Sequence, residues 1–182
     1  MVRTTLYLIA GILLGLLIHL VVILTLPGLA SNNVATRLAA IGQLNKTVLL
    51  ADVTPGAPNP LRLDPNVVYA MCRLDLSSGP GELAGTLPLA FWSVSVYDKS
   101  GTVLYSTTNR DGIGQTLDLG IFDQGQTRLL AEQKIDVADG LLIVESNSDQ
   151  VYVVVRLAPE QPVMRDRYKA QLARLGCHNI KI

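Results

Sequence analysis

"FWSVSVYDKSGTVLYST", residues 91–107, decides the fold class. Phe91, Ser93, Ser95 and Tyr97 fall on one side of an extended chain, and Trp92, Val94, Val96 and Asp98 on the other. A period of two is that of a β-strand with one buried face. "KSG" reverses the chain and "TVLYST" supplies the partner strand, at the spacing of a three-residue hairpin loop. Trp92 is the only tryptophan in the chain, so the face it shares with Val94 and Val96 is expected in the core. Phe91, Ser93, Ser95 and Tyr97 are expected on a face that is half covered.

Outward from this hairpin the same pattern repeats. "KTVLLADV" (46–53), "VVYAMCRLDL" (67–76), "ELAGTL" (82–87), "TLDLGIF" (116–122), "QTRLLAE" (126–132), "GLLIVES" (140–146) and "QVYVVVRLA" (150–158) all read as short strands separated by Gly, Asp, Asn or Pro. Short strands at this spacing, without helix–strand alternation, predict a mainly β fold, an antiparallel β-sandwich-like domain. "TPGAPNPLRLDPN" (54–66) holds four prolines and reads as an extended loop, since each lacks an amide donor and biases its predecessor away from helix. In "GPGELAG" (79–85) the glycines accompany Pro80 and lead into a strand, so a tight turn is expected and not a phosphate loop. The close, "QPVMRDRYKAQLARLGCHNIKI" (161–182), predicts an amphipathic C-terminal helix with Met164, Tyr168, Leu172 and Leu175 on one stripe and Gly176 at its end. His178 is expected in a solvated tail.

The other end of the chain has a different physical character. No Asp, Glu, Lys or Arg lies between Arg3 and Arg37, and Leu6–Leu26 is nearly all aliphatic. At about 1.5 Å per residue that run makes a helix of roughly 30 Å, the thickness of a bilayer's hydrocarbon core. Two readings fit it, an uncleaved transmembrane anchor or a cleaved secretory signal ending near Gly28-Leu29-Ala30. The run exceeds the roughly 7–15 apolar residues of a signal, and Pro27 closes it where the far interface would lie, which favours the anchor. The amino terminus and Arg3 favour a cytoplasmic N-terminus, so the expected location is the inner membrane, crossed once, with the remainder periplasmic. The expected organisation is an anchor over 1–30, a connecting amphipathic helix over 31–45 with Asn33 as its cap and Val34, Leu38 and Ile41 as its apolar positions, and the periplasmic domain over 46–182.

Lys and Arg number 15, as do Asp and Glu. No basic stripe with interleaved aromatics appears, which argues against nucleic acid as a partner. Arg165, Arg167, Lys169, Arg174 and Lys181 make the C-terminal segment basic, as a solvated helix face. The two cysteines, Cys72 and Cys177, have no C-x-x-C or His-rich company, so zinc is not expected. They leave two states open: a disulfide tying the C-terminal helix to the sheet, which an oxidising periplasm permits, and two unpaired thiols.

The stretch "DPNVVYAMCRLDLSSGPGELAGTLPLAFWSVSVYD" (64–98) resembles the bacterial family called domain of unknown function 1254. The resemblance rests on Pro65-Asn66, Tyr69, Leu74 to Ser77 followed by Gly79-Pro80, and Phe91-Trp92 through Tyr97-Asp98. "GTVLYSTTNRDG" (101–112) is also similar to its sister family. The resemblance covers most of the chain after residue 45 and implies a β-sandwich-like fold with no settled activity. Many relatives are longer, with a second β-rich domain. Relatives commonly carry Asn-x-Asp-Thr-x-Tyr before the first strong strand; here the run is Asp64-Pro65-Asn66-Val67-Val68-Tyr69, with acid and amide exchanged and Val in place of Thr.

No H-E-x-x-H, G-x-S-x-G or Walker loop is present, and no cofactor is implied. Asp111, Asp118, Asp123, Asp136 and Asp139 are too dispersed for a Ca²⁺ loop and are expected to form turns. Asn66, Tyr69, Asp75, Trp92, Tyr97, Asp98, Asn109 and Arg110 make the best polar–aromatic set, a candidate pocket for a small ligand or glycan. Gly11, Gly15 and His19 share one face of the apolar helix, a candidate contact with a second copy or another membrane protein. The expected function is a membrane-anchored binding or interaction module and not an enzyme. The alternatives are a hydrolase with its pocket near the Asn66/Tyr69 loop and an accessory subunit of a membrane complex.

Overall fold

The computed structural model describes residues 2–29, 34–110, 115–133 and 140–180, without the side chains of residues 27–29, 34, 35 and 133. The chain divides into two compact units, Met1–Asn33 and Val34–Ile182. The first is a single helix, α1 (Val2–Leu29). Over Val2–Leu26 its mean hydropathy reaches 2.8 and all its side chains are exposed. It is the one helix among the described residues long and apolar enough to cross a membrane. The expected cap Asn33 and the cleavage residue Ala30 lie outside the described residues.

The second unit is two packed β-sheets. Five strands form one sheet in the order β1 (Thr47–Leu49), β2 (Val68–Asp75), β8 (Gln150–Ala158), β4 (Phe91–Asp98), β5 (Val103–Thr108). Four form the other, in the order β7 (Leu142–Ser146), β6 (Thr116–Asp123), β3 (Gly81–Thr86), β9 (Gly176–Asn179). Period two sets which residues meet between them. Ala70, Cys72 and Leu74 from β2, Val151, Val153, Val155 and Leu157 from β8, and Trp92, Val94 and Val96 from β4 are buried in the main core. Leu83, Leu117, Leu119 and Ile121 meet them from the other sheet.

The outer face of the five-stranded sheet is covered in part. Helix α2 (Val34–Ile41) and the Pro-rich loop lay Leu38, Leu61 and Leu63 over Met71, Tyr152 and Val154, making a second, smaller core. The hairpin between β4 and β5 closes on Asp98 and Gly101. Gly101 N donates to Asp98 O, and Gly101 takes φ +88°, the left-handed position that ends a three-residue loop.

Two sequence expectations are corrected. "QTRLLAE" is not a strand but lies within helix α3 (Gln124–Gln133). Asp123 Oδ1 accepts from Gln126 N at 2.7 Å while Gln126 Oε1 accepts from Asp123 N at 2.9 Å, a reciprocal cap that nucleates the helix. With this helix as crossover, β6 and β7 pair parallel, the one parallel pair among the described strands, to which an isolated parallel bridge between Leu44 and Arg73 is added. The C-terminal segment also differs. Its helix, α4 (Arg165–Leu172), is short, and Gly176 begins a strand, β9, that adds antiparallel to β3. His178 therefore lies on a strand, with Nε2 2.9 Å from Glu82 Oε2, and not in a solvated tail.

Cys72 and Cys177 form a disulfide. It joins β2 in one sheet to β9 in the other, so the C-terminal element tied down is a strand and not the helix. Both cysteines are buried among the main core residues.

Candidate functional site

The eight residues of the candidate pocket do not line one cavity. β2 is eight residues long, which at about 3.3 Å per residue separates its ends by roughly 25 Å. Asn66 precedes its first residue, and Asn109 and Arg110 follow β5 at the same end, where Asn109 N donates to Trp92 O. Asp75 and Asp98 end their strands at the opposite end, opposite Gln150 and Val151. Trp92 is in the core, 1% exposed. Tyr69 and Tyr97 are half-buried against the smaller core.

Local chemistry explains several of these residues without a ligand. Asp75 Oδ1 accepts from Ser77 N and Ser77 Oγ, capping a single 3-10 turn (Leu76–Ser78). The Ser77 hydroxyl, followed by its amide, holds the Asp75 carboxyl below its usual range. Asp98 Oδ1 accepts from Ser100 N, Ser100 Oγ and Thr102 N, all within the hairpin turn. Burial pushes the Asp98 carboxyl up, but these bonds outweigh it and the net shift is downward. Of the dispersed carboxylates, Asp123 caps α3 and Asp118 lies within β6 and not in a turn. Asp111, Asp136 and Asp139 lie outside the described residues.

Two clefts lie at the Asn66 end of the sandwich. A cleft of about 530 Å³ is lined by Asp52, Val53, Pro65, Asn66, Pro159, Glu160, Pro162 and Arg165. Glu160 is shared with a second cleft of about 290 Å³, which Pro88 to Trp92, Asn109 and Gln115 complete. Asn66, Trp92 and Asn109 are thus the three candidate residues that reach one or other of these two clefts. Leu89 and Phe91 are exposed at their rim.

Ionic contacts organise the larger cleft. Arg165, at the start of α4, donates to Asp52 Oδ1 at 2.7 Å and to the carbonyls of Pro65 at 2.8 Å and Val67 at 3.3 Å. Lys169, one helical turn on, also pairs with Asp52. The Arg165 guanidinium, then the Lys169 ammonium, hold the Asp52 carboxyl below its usual range. Asp52 and Arg165 are 113 residues apart, and no local pattern announces either; only the fold brings them together.

A further residue that spacing alone did not single out is Arg156. It is the one charge in "QVYVVVRLA" and stands on the outer face of the five-stranded sheet, between Tyr69 on β2 and Ser93 on β4. Alternation in β8 places it on that face, and this was the available signal. Gly11, Gly15 and His19 are exposed on α1, and a methyl group built on either glycine meets nothing within 4 Å.

The fold has a solved counterpart. The VPA0106 protein from Vibrio parahaemolyticus superposes with a TM-score of 0.55 at 12% identity, over 81% of this chain and 32% of its own. An uncharacterized protein from Burkholderia cenocepacia gives a TM-score of 0.43 at 13% identity, over 78% of this chain and 36% of its own. The chain thus spans about a third of the length of these structures. No curated protein matches it. The family described as "Protein of unknown function (DUF1254)" matches residues 44–172, which include both sheets except β9, and the chain belongs to that family.

Proposed function

We propose that this protein is a membrane-anchored binding or interaction module whose β domain works in the periplasm. The observation that carries the reading is the Cys72–Cys177 disulfide within a domain that follows an apolar helix of membrane-spanning length. Disulfides persist on the oxidising side of a membrane. The basic N-terminus favours the cytoplasmic side for the start of the chain, which gives the same orientation. The two neighbouring clefts at the Asn66 end are where a ligand or partner group would enter, with Leu89 and Phe91 as apolar contacts at the rim. The face with Gly11, Gly15 and His19 is the proposed contact with another helix in the membrane.

The hydrolase reading draws on one observation, the cleft that sets Asn66 near two carboxylates, Asp52 and Glu160. Asp52 is committed to Arg165 and Lys169, which suits a fixed wall better than a group that exchanges protons, and binding is the reading we prefer.

The test is protease treatment of sealed spheroplasts expressing the full chain, followed by carbonate extraction of the membranes. The expected result is loss of the β domain to external protease, and, without protease, retention of the chain in the carbonate pellet. A protected domain contradicts the orientation; release by carbonate contradicts the anchor.

A further inference from the structure

Arg156 is half-buried, and among the described residues no ion pair reaches it: each involves Asp52, Asp166 or Glu82. Its Nη2 donates to the Tyr97 hydroxyl at 2.5 Å, and its Nη1 lies 3.5 Å from Ser95 Oγ, at the outer limit of a hydrogen bond. Both partners are neutral. A guanidinium carries five N–H donors, so most of its donors have no protein partner among the described residues, and none of its nitrogens is a sealed, unsatisfied atom. Of the other half-buried arginines, Arg165 meets Asp52, Arg73 donates to the carbonyl of Ala39 near the end of α2 while its buried Nε has no partner among the described residues, and Arg37 donates to the carbonyl of Pro60.

The neighbours of Arg156 are donors as well. Tyr69 and Ser93 stand directly opposite it on the flanking strands, about 5 Å away between Cβ atoms. The Tyr69 hydroxyl accepts from Asp64 N, which leaves its proton free to donate. Tyr97 accepts from Arg156 and likewise retains its proton. The Ser93 hydroxyl has no partner among the described residues. Asp64 brings a carboxylate to the covering loop, but its Oδ1 accepts from Asn66 N at 2.7 Å. One cation and three hydroxyl protons share this patch, and among the described residues no carboxylate pairs with the cation.

We propose that Arg156, with Tyr69, Ser93 and Tyr97 beside it on the outer sheet face, anchors a binding site for an oxyanion, the carboxylate or phosphate group of a small ligand. A planar guanidinium offers such a group two parallel N–H bonds, and the hydroxyls supply the remaining contacts. The site is separate from the strand-end clefts and does not depend on them.

Isothermal titration of the full chain in non-ionic detergent at low ionic strength tests this, with inorganic phosphate and citrate as separate probes. Saturable binding of at least one is expected. Arg156→Gln should weaken it by about tenfold or more, as loss of a charge-assisted bond requires. Arg156→Lys, which keeps the charge without the fork, should weaken it less, and Ser93→Ala less again. Arg174→Gln, an exposed cation elsewhere, should change nothing. Phosphate binding alone identifies a phosphate site, and citrate binding alone a carboxylate site. Equal affinity in wild type and Arg156→Gln, or no saturable binding of either anion, overturns the proposal. Should Arg156→Gln lose its cooperative unfolding transition, Arg156→Lys and Ser93→Ala decide, and unchanged affinity in both overturns it.

Discussion

Asp98 and Gly101 close the β4–β5 hairpin between them, one through side-chain oxygen and the other through backbone freedom. Replacing Asp98 with Ala should destabilise the domain by about 1 kcal/mol, as loss of a side-chain-capped turn does, measured as a lower urea midpoint with an unchanged slope. Asp98 also shares a pH signature with Asp75 and Asp52. All three carboxyls are held below their usual range in the folded chain. The unfolded chain therefore binds protons first as pH falls. Their contribution is complete above the ordinary carboxylate value of roughly 4 and is lost as pH drops through the lower folded values. The thermal midpoint should fall between about pH 5 and about pH 2.5, more shallowly in an Asp75→Ala/Asp98→Ala variant; a midpoint independent of acid contradicts these assignments. Single residues were legible where period two governed them. Trp92, Val94 and Val96 are in the core as the alternation required, whereas Ser95, expected on a half-covered face, is 3% exposed because Arg156 and Ser106 close over it.

Among the elements, α3 shows what hydrophobic alternation hides. Leu129 and Leu130 fit a short strand as well as a helix, and the deciding information was four residues of capping chemistry, Asp123 to Gln126. Asp123→Ala should remove about 1 kcal/mol of stability and expose α3 amides to hydrogen exchange before those of β6. β9 was illegible for another reason: "GCHN" has no strand pattern and pairs because β3 offers an edge and Cys177 reaches Cys72. The staple closes a separation of 105 residues. A Cys72→Ser/Cys177→Ser variant should lose roughly 4 kcal/mol, the scale expected for so long a loop, read from denaturant unfolding against the oxidised parent. Stability equal to the parent's contradicts a structural role for the bond.

At the scale of the whole molecule, two units of different character follow from composition alone: an uncharged aliphatic run, then alternating strands. The candidate pocket was less legible than the fold, because its residues lie along strands and at strand ends, and the strands carry them to opposite ends of a sheet. The ion cluster of Asp52, Arg165 and Lys169 joins segments that no sequence window spans. If the α1 face contacts another helix, Gly15→Leu and His19→Leu should reduce crosslinked or co-purified partner in mild detergent, and unchanged recovery in both variants removes that contact from the account. The central claim, an anchored domain that folds on the oxidising side of its membrane, is tested most directly by its thiols. Cells expressing the full chain are quenched in acid, denatured without reductant and labelled with a thiol-specific mass tag. The account predicts no tag on either Cys72 or Cys177 until reductant is added; two tags on the unreduced chain would contradict it.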